Sequence, residues 1–390
     1  MIYLDNNATT KLAPEALDAM LPYFSEVYQN PSSVVGEVLG VKSAIARARR
    51  SLASLLGLSE PNSLVFTSGA TESNNWVVSI ISEIFGAPRR LITSAVEHPS
   101  VIEPLRRLER LGWPLTVVPV DRNGVVRKDI LEQSLTSETA FVSIMAANNE
   151  SGVVQPVGDF AALVKELAPQ AYFHTDATQM TGKLPVSFDD GWSQIDFLSL
   201  SGHKFHGPKG IGALVIRDGM DVPPWILGGG QEDGRRSGTS NAPSIIGIAV
   251  AADHARKNLA KDGAAIVQIR DWFEAEIQNR LPDVVIHGTN AYRLPNTSCF
   301  SIPGCDANHL AELLAGEGIC LGTGSACSSG ALHPPRTLLE MGVDHKLAAA
   351  ALRLSLSRYS SQAEVQALIE RLVVLRQTAI LPMDFEIISR

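Results

Sequence analysis

Lys204 stands in a stretch rich in glycine and histidine, Ser201-Gly202-His203-Lys204-Phe205-His206-Gly207-Pro208-Lys209-Gly210, between apolar runs at 195–200 and 211–216. Short runs bounded by turn residues read as buried strands. A lysine on such a loop has three uses. It can sit in water, where most lysines are. It can serve a phosphate-binding loop, but that motif needs Gly-Lys-Ser/Thr opening a helix, and here Pro208 and a strand follow Gly207. Or, buried, it loses ammonium solvation, its pKa falls, and the free amine attacks an aldehyde. The loop alone favours water; its partners elsewhere favour the amine.

The first partner is Asp176 in His174-Thr175-Asp176-Ala177-Thr178-Gln179. A buried carboxylate is costly unless it meets a cation or a good donor, and a pyridine nitrogen is such a partner. A metal at His174 and Asp176 would lack further ligands, so no metal is expected. Thr67-Ser68-Gly69-Ala70-Thr71-Glu72-Ser73 opens a helix with free N–H groups and a hydroxyl, either an anion site or an ordinary cap. His98 in Glu97-His98-Pro99-Ser100 can lie on a ligand ring or move protons; alone it reads as a hydrogen-bonded turn residue. Asn149 in Asn148-Asn149-Glu150 can orient a ligand. Gly234-Arg235-Arg236-Ser237-Gly238-Thr239 offers a hydroxyl and two cations for a phosphate. Cys327, in Gly322-Thr323-Gly324-Ser325-Ala326-Cys327-Ser328-Ser329-Gly330, sits among small polar residues, as an exposed reactive thiol does. Arg353 lies on an alternating run at 352–357 and is a candidate fork for a carboxylate, or a solvent-facing arginine.

These residues need a frame. Strands are expected near 64–67, 91–93, 115–120, 141–145 and 172–175. Helices are expected near 72–85, 100–111, 128–135 and 160–167, with a turn at Asp121-Arg122-Asn123-Gly124. Such alternation implies a mostly parallel sheet covered on both faces, with ligands beyond the carboxyl ends of its strands. Further helices are expected over 14–28 and 36–56, the second with a solvated basic face of Lys42, Arg47, Arg49 and Arg50. A long helical stretch over 242–280, broken near Gly263, leads to a second unit.

The chain's 390 residues, 45% of them hydrophobic, allow about two domains. A net charge of −8 argues against a nucleic-acid or anionic-membrane surface. No apolar run reaches the ~20 residues of a membrane span. The N-terminal residues lack a basic region and a long apolar stretch, so no signal peptide is expected. Four cysteines without a C-x-x-C pair point away from disulfide and zinc frameworks. The expectation is a cytoplasmic protein without membrane or direct nucleic-acid binding.

Tyr3-Leu4-Asp5-Asn6-Asn7-Ala8-Thr9-Thr10, Thr67–Ser73, Asn148-Asn149-Glu150, Asp176–Gln179, Ser201–Lys204, Arg236–Thr239 and Gly324-Ser325-Ala326-Cys327 together resemble the NifS/IscS-like cysteine desulfurases of the class V aminotransferase superfamily. The resemblance implies an α/β, fold-type I pyridoxal-phosphate enzyme. Its large domain, with a seven-stranded mostly parallel sheet, would cover 16–257. A smaller α/β C-terminal domain carrying the cysteine loop would comprise 1–15 and 258–390. It implies pyridoxal 5′-phosphate held as an imine on Lys204, with Asp176 at the ring nitrogen, Gln179 at the phenolic oxygen and His98 stacked on the ring. Ala70, Thr71, Ser201 and His203 would hold the phosphate, and Thr239 would reach the site of a second subunit in a homodimer. Asn149 and Arg353 would hold the carboxylate of L-cysteine. Cys327 would take the sulfur as a persulfide and pass it to an acceptor protein, for iron–sulfur assembly or thiolation of tRNA or DNA, leaving L-alanine. The alternatives are a selenocysteine lyase or another class V pyridoxal-phosphate enzyme. The family pattern departs at Met180-Thr181 and at Leu332-His333-Pro334-Pro335.

Overall fold

The computed structural model describes residues 1–188, 190–323 and 334–376. Strand β1 (Ile2–Leu4) opens the chain. The alternating segment gives β2 (Leu64–Thr67), β3 (Arg90–Ser94), β4 (Leu115–Val118), β5 (Thr139–Ser143) and β6 (Tyr172–Asp176), then β7 (Phe197–Ser201) and β8 (Gly212–Ile216). These seven form one sheet in the order β2-β8-β7-β6-β5-β3-β4. Only β8 runs against the others, pairing antiparallel with both β7 and β2. Both faces are covered, and successive side chains feed different cores, as period-2 geometry requires. Leu64, Phe66, Ile92, Val142, Leu198 and Val215 face one core with Val41, Leu52 and Ile248. Val65, Leu91, Phe141, Phe197 and Leu214 face the other with Trp76, Ile80 and Leu105.

The second sheet contains β1, β9 (Val285–His287), β10 (Thr297–Ser301), β11 (Ile319–Thr323) and β12 (Ala351–Ser355), in the order β1-β11-β12-β10-β9. Its core gathers Leu4, Phe273, Phe300, Leu310, Leu354 and Leu368. A capping box at Ser361 and Glu364 starts the helix Gln362–Leu375 that covers it.

Three helix expectations change. The stretch expected over 14–28 is two short helices, Pro14–Met20 and Pro22–Ser25, because Pro22 supplies no N–H to continue the first. The stretch over 36–56 divides into Val34–Val38 and Val41–Leu55, with Gly40 between them at φ +83°, where a side chain is disfavoured. The long helix Ala242–Arg280 runs unbroken through Gly263. A lone glycine costs such a helix only ~1 kcal/mol against alanine. Burial of Ile245, Ile248 and Ala252 at one end and Phe273 and Ile277 at the other outweighs it. The basic face of Val41–Leu55 is not wholly solvated: Arg49 is largely buried, forks onto Glu232 with two 2.8 Å bonds, and lies over the Phe66 ring.

Candidate active site

A cavity of about 320 Å³ lies beyond the carboxyl ends of the parallel strands. Its wall includes Ala70 and Thr71 after β2, His98 after β3, Asn149 after β5, Asp176 and Gln179 at the end of β6, and Ser201, His203 and Lys204 after β7. From the second sheet comes Arg353, and from the N-terminal segment Asn7 and Ala8. The cavity therefore unites every expected site residue except Thr239 and Cys327. Thr239 is exposed and does not line it. Cys327 lies outside the described residues.

Lys204 sits in a single turn after β7, where its Nζ donates to the Asn7 carbonyl at 2.6 Å and the Ala8 carbonyl at 2.9 Å. The same Asn7 carbonyl accepts from Gln179 Nε2 at 3.0 Å. Lys183 Nζ donates to Gln179 Oε1 at 2.8 Å and Asn7 Oδ1 at 3.1 Å.

Asp176 is buried at the end of β6. Asn74 Nδ2 donates to its Oδ2 at 2.8 Å and the Thr178 N–H to its Oδ1 at 2.9 Å. Asn74 comes from the helix Ala70–Phe85, and no sequence period marks it as a partner of Asp176. Thr178 Oγ1 is buried without a partner among the described residues. His98 caps the helix Pro99–Arg110, with Pro99 at its first position. The Ser100 N–H can only donate, so His98 Nδ1, 3.1 Å away, is the acceptor and the ring proton sits on Nε2. Burial lowers the His98 pKa, with Lys204 and Arg336 adding to the effect and Asp176 opposing it. The ring is thus neutral, able to stack and to donate from Nε2.

Glu97 is fully buried behind His98, and burial pushes its carboxyl up to about 8. Its Oε1 accepts from Ser94 Oγ and the Met145 N–H, both at 2.7 Å, which ties the loop after β3 to the end of β5.

At the opposite corner the helix Ala70–Phe85 starts without a side-chain cap at Gly69. The Ala70 N–H donates to Ser201 Oγ at 2.8 Å. A Cβ on Gly212 would stand 2.4 Å from the Leu200 carbonyl oxygen and 2.6 Å from Gly69 Cα, so β8 needs glycine there for this turn to pack. His203, whose Nδ1 is 3.1 Å from Thr9 Oγ1, is pushed down to about 4 by burial and by Lys204, Lys209 and Lys183. This corner therefore presents neutral donors and a helix start. Arg235 and Arg236 do not line it: Arg236 forks onto Glu72 at 2.9 and 3.2 Å, and Arg235 donates to the Asn62 carbonyl. Burial alone would raise Glu72, but Arg236 and Ser68 outweigh it and hold the carboxyl below its usual range.

Arg353 is buried at the middle of β12. Its Nη2 contacts Asp5 Oδ1 at 2.6 Å and its Nη1 the Asn149 carbonyl at 3.0 Å. The Nε has no partner among the described residues. A Cβ on Gly322 would stand 2.6 Å from Asp5 Oδ1, so glycine at that point of β11 makes room for the ion pair. Sequence reasoning named Arg353 but gave Asp5 no role; the two are brought together by the pairing of β1, β11 and β12 and by a backbone bridge from Asp5 to Ser355.

Residues 2–368 match the model of the aminotransferase class-V family. The chain belongs to that family. It is 43% identical over 367 residues to a cysteine desulfurase of Sinorhizobium fredii, covering 93% of each chain. It is 39% identical over 365 residues to the cysteine desulfurase IscS of Dictyoglomus turgidum, covering 93% of this chain and 91% of that one. Among solved structures it superposes on a NifS-like protein with a TM-score of 0.90 at 37% identity, over 97% of this chain and 99% of the other. It superposes on SspA in complex with cysteine with a TM-score of 0.80 at 32% identity, over 93% and 100%. The fold is that of the fold-type I pyridoxal-phosphate enzymes, and the family's cofactor is pyridoxal 5′-phosphate.

Proposed function

We propose that this cysteine desulfurase divides its chemistry among the residues around Lys204 as follows. The observation that carries the reading is the convergence of a lysine, a buried aspartate, a neutral histidine and an arginine on one cavity. That cavity is of a size for a small ligand. The residues suit pyridoxal 5′-phosphate: Asp176 for a ring nitrogen, the His98 ring for stacking, and an uncapped helix start with Thr71, Ser201 and neutral His203 for the phosphate. Thr178 Oγ1 and Arg353 Nε are buried polar atoms without partners among the described residues, as groups awaiting a ligand would be.

When bound, the cofactor supplies an electron sink that makes the α-proton of an amino acid labile and weakens its Cβ–S bond. Lys204 would hold the cofactor covalently, and its freed Nζ would take and return the α-proton of L-cysteine. Gln179 would donate toward the ring oxygen. Asn149 and Arg353 hold the substrate carboxylate, and Asp5 steers the guanidinium. His98 donates from Nε2. Cys327 Sγ, as thiolate, attacks the substrate sulfur. The S–Cβ bond breaks with its electron pair left on Cβ, which takes a proton; the sulfur stays on Cys327 as a persulfide, and L-alanine leaves.

The large domain is assigned to 16–257 and the small domain to 1–15 with 258–390, in keeping with the separate core around Phe273 and Phe300. A homodimer is supported by exposed apolar side chains on the N-terminal segments, Leu21, Phe24, Tyr28, Val34 and Val38, and by exposed Leu227 near Thr239. Thr239 would reach the partner's phosphate. A sulfur-acceptor protein receives the persulfide. A cytoplasmic location accords with the free thiols of Cys299, Cys305 and Cys320. No helix among the described residues is long and apolar enough to cross a membrane.

The test is turnover of L-cysteine by the purified, cofactor-loaded protein in the presence of a thiol. Alanine and sulfide should appear in equal amounts, and Lys204→Ala should lose roughly a thousandfold or more. Cys327→Ser should keep the cofactor and lose sulfur transfer to the thiol. No alanine from the parent protein sinks the reading, and release of selenide from selenocysteine alone moves it to a selenocysteine lyase.

A further inference from the structure

Behind the site lies a second, smaller cavity of about 50 Å³, and Lys204 lines both. Lys183 lines only the smaller one, yet its Nζ reaches through to Gln179 on the wall of the larger. It is four residues past Gln179, on the turn after β6. Among the described residues its hydrogen-bond partners are amide oxygens, with no carboxylate among them. Burial lowers its pKa well below that of an ordinary lysine, and Lys204 and Arg353 add to the effect. An amine placed there holds its charge less firmly than an ordinary lysine and faces no carboxylate among the described residues, which calls for a reason other than ion pairing.

The hydrogen bonds supply one. A glutamine amide has an acceptor end and a donor end, and a half-turn exchanges them. Lys183 donates to Oε1 at 2.8 Å, and the Asn7 carbonyl accepts from Nε2 at 3.0 Å. Both neighbours demand the same orientation. The Asn7 side chain is itself fixed: its Oδ1 accepts from Lys183 and from Asn296 Nδ2 at 3.0 Å, and its Nδ2 donates to Thr297 Oγ1 at 2.9 Å. One Nε2 hydrogen goes to Asn7, leaving the other for the cavity that Gln179 lines.

We propose that Lys183 is a positioning residue of this active site, holding the Gln179 amide so that it presents an N–H to the ring oxygen of the cofactor. This rests on the assignment of pyridoxal 5′-phosphate to Lys204. A donor at the ring oxygen draws electron density from the conjugated system and weakens the hold of the Lys204-linked nitrogen on its proton. Without Lys183 the donor is less well held, and that proton is bound more tightly.

The test is a pH titration of the visible absorbance of the loaded parent, Lys183→Met, Gln179→Leu and the double variant. The Lys183→Met midpoint should rise by roughly half to one pH unit. The double variant should match Gln179→Leu alone, because one residue acts through the other. A Lys183→Met midpoint equal to the parent's, or a double variant whose shift is the sum of the single ones, overturns the proposal. If Lys183→Met fails to fold or load, Lys183→Ala takes its place in the same cycle, and the same two outcomes overturn the proposal. If the parent itself shows no visible band that responds to pH, the cofactor assignment fails instead.

Discussion

The two sheets serve one cavity by different means. The seven-stranded sheet offers residues from loops beyond its strand ends, each already tied to a neighbouring loop: Glu97 bridges to Met145, Ser201 to Ala70, and Asn74 to Asp176. The five-stranded sheet offers one side chain from within a strand, Arg353, steered by Asp5 of the N-terminal segment. The first arrangement spreads positional control over many short links. The second concentrates it in one ion pair. Losses in the first should therefore appear as loosening of the fold, and losses in the second as weaker substrate binding.

The largest stability effect is expected at Glu97. Glu97→Ala strands the buried Met145 N–H and opens a void, at a cost of roughly 2–4 kcal/mol in chemical denaturation. Below pH 4.5, where Glu97 is protonated folded or unfolded, Glu97→Gln keeps the accepting oxygen and should cost less than about 1 kcal/mol. Equal losses in the two variants would show that the link itself is unimportant. Next comes Arg353→Ala, which should raise KM for L-cysteine by roughly 10–100-fold with a smaller change in kcat. A fall in kcat at constant KM would place Arg353 in the chemical step instead. Asp5→Asn should raise KM only severalfold, since it leaves the guanidinium in place but less well aimed.

The Glu97 link also carries a pH dependence. Its carboxyl is raised in the folded state to about 8 from an ordinary value of 4.5. Its contribution to stability is therefore fully present below pH 4.5 and is lost as pH rises toward 8. The melting-temperature difference between parent and Glu97→Gln should shift against the parent across that window. His174 works in the opposite sense. Burial depresses it to about 4, so it favours the fold above its ordinary value and loses that contribution as pH falls from 6.5 toward 4. A difference between parent and Glu97→Gln that stays flat from pH 4.5 to 8 would mean that Glu97 ionises normally.

Much of the first arrangement is legible in the sequence. Short apolar runs alternate with amphipathic ones, so Ala70, His98, Asn149, Asp176 and Lys204 can be placed together beyond the strand ends. Singly, the His98, Asn149 and Lys204 segments read as ordinary turns or solvated loops, and the roles of all five come from the family resemblance. The second is far less so. Arg353 sits in an ordinary alternating strand, and its partner Asp5 is 348 residues away. Asn74 and Lys183 are hidden for a related reason. Each lies on a turn or helix whose period says nothing of which polar group it faces. The helix boundaries at Leu21 and Gly40 are marked by proline and glycine, while the continuity through Gly263 depends on burial at both ends of that helix.

That helix has a further consequence. Its 39 residues span roughly 58 Å as a single rod shared by both cores. Mid-span, at Gly263, nothing stands near the position a Cβ would occupy. A beam clamped at both ends and thinnest in the middle flexes at the middle. Any rocking of the arginine-bearing sheet toward the lysine-bearing one would be concentrated at that one peptide unit, and amide exchange there would time it.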